Sequence, residues 1–152
     1  MRLEDEIKQP HFRDDFQKAY INVVYTAGWL AVRQAAMLKP FGLSLPQFNV
    51  LRILRGRHPE PATVALLIER MLDKTSNASR IVDRLEEKQL VTRRVCPANR
   101  RAVDIRITEA GLRLLRQIDD VQAASPGPIG LDQLSPTELR QLNSLLDKIR
   151  TS

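Results

Sequence analysis

Residues 73–107 read DKTSNASRIVDRLEEKQLVTRRVCPANRRAVDIRI. Short polar side chains lead, an amphipathic run follows, and arginines crowd the end. Within the run Ala78, Ile81, Val82 and Leu85 fall at i, i+3, i+4 and i+7, which predicts a helix with one buried face. Turning about 100° per residue places Ser76, Arg80, Asp83, Arg84 and Glu87 on the opposite side, with Asn77 and Ser79 flanking it. Past Leu90 the period changes to two: Val103, Ile105 and Ile107 alternate with Asp104, Arg106 and Thr108, and LVTRRV supplies an earlier β-branched run. Leu90 to Thr108 therefore predicts a β-hairpin whose tip, CPANRR, projects Arg100 and Arg101 beside the helix.

Upstream, apolar residues at Phe16, Tyr20, Val23, Ala27, Leu30 and Leu38 keep close to a helical period and predict a long first helix ending before Pro40. A second helix is expected from LSLPQF, with Ser44 as N-cap, Gln47 three residues on, Leu43 stapled to Phe48, and Phe48, Leu51 and Leu54 facing the core. Gly56 and Pro59 are expected to break it. Pro61 is then expected to open a short third helix with Val64, Leu67 and Ile68 inward. Two short helices joined by about four residues, the second offering small polar and arginine side chains, is a helix-turn-helix pattern. Such short side chains let a helix N-terminus approach the floor of a major groove, and arginine can bridge a guanine edge or hold a phosphate.

Downstream, Thr108 is expected to cap a helix through Leu112, Leu115, Ile118 and Val121 that SPGPIG ends. Ser135, Pro136 and Glu138 form a capping box for a last helix, striped by Leu139, Leu142, Leu146 and Ile149. The stripes of the first and last helices would be poorly covered in a monomer. Phe12, Phe16, Leu139, Leu142, Leu146 and Ile149 are therefore assigned to a homodimer interface.

The whole chain of 152 residues is long enough for one core and reads as a single domain, 1–152. Its formal charge is +6, and residues 74–106 alone carry nine Lys/Arg against four acids, or +5. Positive charge so concentrated suits a phosphate backbone, because each neutralised phosphate releases condensed counterions. No apolar run is long enough to span a membrane and the N-terminus lacks a signal-peptide pattern, so the chain reads as cytoplasmic, without a membrane partner. His11 and His58 have no nucleophile, carboxylate or cysteine at metal-ligand spacing, and glycine-rich nucleotide loops are absent. Enzymatic activity, a cofactor and a metal site are not expected.

Three stretches in this order, LSLPQFNVLRIL, LDKTSNASRIVDRLEEKQLVTRR and NRRAVDIRITEAG, resemble the MarR family of winged-helix transcriptional regulators. The resemblance implies a mainly α fold with a small β-hairpin wing. Residues 44–108 would form the winged helix-turn-helix lobe, and helices in 12–40 and 109–152 the dimerisation region. It further implies a homodimer on pseudopalindromic double-stranded DNA, usually a repressor, whose affinity is lowered by a small effector or by cysteine oxidation. Carried to this sequence, the DNA-binding set is Lys74, Thr75, Ser76, Asn77, Ser79, Arg80, Arg84, Arg94, Asn99, Arg100 and Arg101. Tyr25, Trp29, Phe48 and Leu51 are candidates for an effector pocket or, equally well, ordinary core. Cysteine-based redox control through Cys96, and a helical protein-interaction module, stand as alternatives.

Two departures from the family pattern matter. Cys96 and Asn99 stand where the family's wing commonly has acids, which weakens the usual acid-to-arginine bracing of the wing, since a neutral Asn99 can hydrogen-bond an arginine but less strongly than a carboxylate. Gln89 replaces a glycine, so a residue with a Cβ must take the left-handed backbone that ends a helix.

Overall fold

In the computed structural model, which describes residues 1–96, 98–125 and 129–151, the side chains of residues 96 and 99–101 lie outside the description. Seven α-helices and one antiparallel hairpin follow in the order α1 (Leu3–Glu6), α2 (Asp15–Leu38), α3 (Leu45–Arg57), α4 (Val64–Arg70), α5 (Ala78–Glu87), β1 (Val91–Cys96), β2 (Asn99–Ile107), α6 (Glu109–Ala124) and α7 (Pro136–Ile149). Two compact units divide the chain: Met1–Gln34 with Gly127–Ser152, and Ala35–Pro126. Among the described residues no helix is long and apolar enough to cross a membrane.

The Ala35–Pro126 unit begins at the capping box foreseen in LSLPQF. Ser44 Oγ accepts the Gln47 amide at 3.3 Å, and the Gln47 side chain accepts the Ser44 amide at 3.2 Å. From that start α3 buries Phe48, Val50, Leu51 and Leu54. The helix continues through Gly56 to Arg57, so Gly56 does not break it, and only the His58–Pro59 segment does. The next helix also begins later than expected. Thr63 caps α4 by accepting the Leu66 amide at 3.1 Å, whereas Pro61 and Ala62 stay outside the helix. Ala62 instead exchanges two 2.8 Å backbone hydrogen bonds with Ile105 and adds a one-residue bridge to the edge of β2. With α4 starting at Val64, Leu67 faces inward and Ile68 is half exposed, not inward.

Ala78, Val82 and Leu85 bury the inner side of α5, and Val91, Ile105 and Ile107 supply the hairpin's share of the same core. The register pairs Val91 with Ile107, Arg93 with Ile105 and Val95 with Val103. At the end of α5, Gln89 takes φ of 62°, and the Leu90 amide returns to Leu85 O at 3.0 Å. Thr108 then closes the hairpin base: its hydroxyl donates to Gln89 O at 2.8 Å and accepts the Gly111 amide at 3.1 Å, capping α6. Arg55 joins α3 to α6 through Asp119 at 2.6 Å.

In the other unit the short helix α1, which the periodicity did not indicate, is bound to α2 through two acids. Glu4 meets Lys18 Nζ at 2.5 Å, and Glu6 accepts the Tyr25 hydroxyl at 2.7 Å. The lysine, aided by Glu4's own backbone N–H, pulls the Glu4 carboxyl down to about 2. Ser135 and Glu138 form the expected capping box of α7.

Candidate nucleic-acid interface

The turn between α4 and α5 is held by short polar contacts. Asn49 Oδ1, reaching from α3, accepts the Leu72 amide at 2.9 Å. Asp73 Oδ1 accepts both the Thr75 hydroxyl at 2.6 Å and the Thr75 amide at 2.9 Å. These bonds, the hydroxyl's foremost, hold the Asp73 carboxyl below the usual aspartate range. Asn77 caps α5 by accepting the Arg80 amide at 3.1 Å. Lys74 folds back, its ammonium donating to the carbonyls of Ile68, at 3.1 Å, and Glu69, and so satisfies the C-terminal end of α4. Lys74, Thr75 and Asn77 thus all have local partners.

From that turn α5 presents Ser79, Arg80, Asp83, Arg84 and Glu87 outward, with Ser76 half buried just before it. Arg84 lies 3.7 Å from Glu87, an exposed pair that screening leaves weak. Arg80 and Arg94 are exposed and make no ion pair among the described residues. Asn99, Arg100 and Arg101 belong to β2 by backbone, but their side chains lie outside the described residues, as does that of Cys96.

Missing from the candidate set was Arg93. Its guanidinium reaches Asp83 Oδ1 at 2.6 Å and Glu86 Oε1 at 3.0 Å, joining β1 to α5. Both acids raise the arginine's pKa, Glu86 most strongly. One signal was available: Asp83 and Glu86 are three apart and share a helix face.

The arrangement is a helix-turn-helix whose second helix is capped and outwardly polar, with a two-stranded wing beside it. A family profile described as MarR family matches residues 41–102, the span from the approach to α3 into the wing. A MarR transcription factor from Planctomyces limnophilus, known by its crystal structure, is 31% identical; the match covers 90% of this chain and 98% of that one, with a TM-score of 0.67. The chain belongs to the MarR family. The HTH-type transcriptional regulator MhqR of Bacillus subtilis (strain 168) is 29% identical over 108 residues, 71% of this chain and 72% of that protein. Sco3205, a MarR family regulator from Streptomyces coelicolor whose crystal structure is in complex with DNA, shares the fold: TM-score 0.77 at 19% identity, covering 93% of this chain and 89% of that one.

The candidate pocket residues fall in different units of this MarR chain. Phe48 and Leu51 are buried in the core of Ala35–Pro126. Tyr25 and Trp29 line a cavity of about 220 Å³ in the other unit, with Met1, Leu3, Glu6, Asn22 and Thr26. Of the proposed interface residues in that unit, Phe16 and Ile149 are exposed, while Phe12, Leu139, Leu142 and Leu146 are half-buried.

Proposed function

We propose that this MarR-family regulator binds double-stranded DNA in a sequence-specific way as a cytoplasmic homodimer on a pseudopalindromic operator. The observation that carries this reading is the two-sidedness of α5: Ala78, Val82 and Leu85 are buried, and Ser79, Arg80 and Arg84 stand outward directly after a capped N-terminus. Arg80 and Arg84 are assigned to base edges or nearby phosphates. Ser76, Ser79 and the Thr75–Asn77 turn let the helix end come close, and Lys74 contributes charge from the end of α4. Arg94, Asn99, Arg100 and Arg101 are assigned to phosphates and the minor groove beside the wing. Two such helices, one per protomer, would meet half-sites about 34 to 36 Å apart.

Repression relieved by a small effector is the finer reading, with the Tyr25 and Trp29 cavity as the first place to seek the effector by thermal shift. The deciding experiment for DNA binding uses the duplex that the wild-type protein selects from a random library. Arg80→Ala and Arg84→Ala should each weaken that complex by roughly 1 to 3 kcal/mol where the arginine holds a base edge, with melting temperature unchanged. Unaltered affinity in both variants removes α5 from the interface.

A further inference from the structure

Charge on α5 poses a problem for a helix meant to approach phosphates. Arg80 and Arg84 stand against Asp83, Glu86 and Glu87, a formal charge of −1 over Ala78–Glu87. Two of those three carboxylates are the ones Arg93 engages, at 2.6 and 3.0 Å. The backbone of the strand that carries Arg93 pairs with β2 along its length; of its described side chains Val91 enters the core, whereas Thr92, Arg93, Arg94 and Val95 are on the surface. Among the described residues, Arg93 alone of β1 forms an ion pair with α5.

We propose that Arg93 is a positioning residue for DNA binding: by gripping Asp83 and Glu86 it sets the wing's angle on the recognition helix, so that the arginines of both reach one duplex together. This deepens the DNA-binding reading above and rests on it. A guanidinium suits the task because its N–H groups diverge in a rigid plane and can serve two carboxylates at once, whereas an ammonium is a flexible point charge. The grip engages α5 through Asp83 and Glu86. It acts at the C-terminal half of α5, where Asp83, Glu86 and Glu87 lie.

Positioning and simple charge neutralisation predict opposite signs for one variant. Asp83→Ala with Glu86→Ala makes α5 more positive, so neutralisation alone predicts tighter DNA binding. A lost grip predicts weaker binding. Alanine also preserves the helix, having the highest helical propensity.

The test measures affinity for the wild-type-selected duplex over a range of salt concentrations, with melting curves to establish that each variant is folded. Arg93→Ala and the double acid variant should each lose about tenfold or more, Arg93→Lys should fall between them and wild type, and the slope of log affinity on log salt should become shallower by roughly one to two as wing contacts leave. Amide exchange without DNA should quicken in residues 91–96 in both variants while α5 stays protected. A double acid variant that binds as tightly as wild type, or more tightly, overturns the proposal, as does an unchanged salt slope in Arg93→Ala. Should the wild type select no duplex, the DNA-binding reading falls by itself, and the exchange comparison still decides whether Arg93 holds the wing.

Discussion

Between Ala35 and Pro126 the chain buries its apolar side chains against itself, while the unit built from Met1–Gln34 and Gly127–Ser152 has only Leu3 buried among its described residues. There α2 leaves Phe16 at 78% and Tyr20 at 65% exposure, with Val23, Val24 and Val32 also open, and α7 leaves Leu145 and Ile149 in solvent. Both units have well-capped helices, so local helix signals do not separate them. What separates them is the partner available to each apolar stripe. Around α5 the stripe meets α3, α4 and the hairpin; along α2 much of it is exposed among the described residues. Apolar surface left open on helices in this way is the physical ground for the proposed homodimer.

The sharpest way to break this comparison is to charge the open face. Phe16→Asp with Tyr20→Asp alters exposed positions and leaves the Ala35–Pro126 core untouched. Light scattering should then report monomers. Affinity for a duplex with two half-sites should fall on the order of 100-fold, as expected when two linked contacts become one. A stable dimer carrying both substitutions would show that the open stripe is not the contact surface.

A second experiment probes the closed unit. An added Cβ at Gly111 would lie 2.6 Å from both Ile107 Cγ1 and the Leu90 carbonyl oxygen, too close for either to stay in place. Gly111→Ala should therefore destabilise this unit by about 1 to 3 kcal/mol, the usual cost of overpacking, and lower its thermal midpoint without changing the oligomeric state. Tolerance of alanine at full stability would mean that the junction of α5, the hairpin and α6 is looser than its contacts indicate.

The smallest effect is expected at Gln89. Its φ of 62° strains any residue with a Cβ, so Gln89→Gly should raise stability by up to about 1 kcal/mol. Denaturant unfolding with an unchanged slope measures it. A loss of stability would show instead that the side chain at 89 contributes more than the backbone strain costs.

Much of the helix-turn-helix was legible in one dimension because its signals are local. Ser44 with Gln47 and Ser135 with Glu138 read as capping boxes, and both form. The spacing of Ala78, Val82 and Leu85 named the buried side of α5, and the switch to period two after Leu90 named the hairpin. The missing glycine at position 89 forecast the left-handed backbone that Gln89 adopts. The caps, the spacing and the change of period each depend on residues within a turn or a strand of one another, where chain geometry alone sets who meets whom, whereas the expectation at 89 came from the family resemblance.

Tertiary structure decided the rest. Ala62 left the predicted helix because Ile105, far along the chain, offered it two backbone hydrogen bonds. With Ala62 held there α4 starts at Val64, and its Ile68 is exposed. Lys74 took the carbonyl end of α4 because the turn folds it back there, a partner that its place in the sequence did not name. Arg93, one arginine among many in the basic segment, was singled out only when the hairpin laid β1 beside the acids of α5. Periodicity can say that a side chain faces out; which oppositely charged group it then meets depends on how separate elements pack, and no local pattern contains that distance.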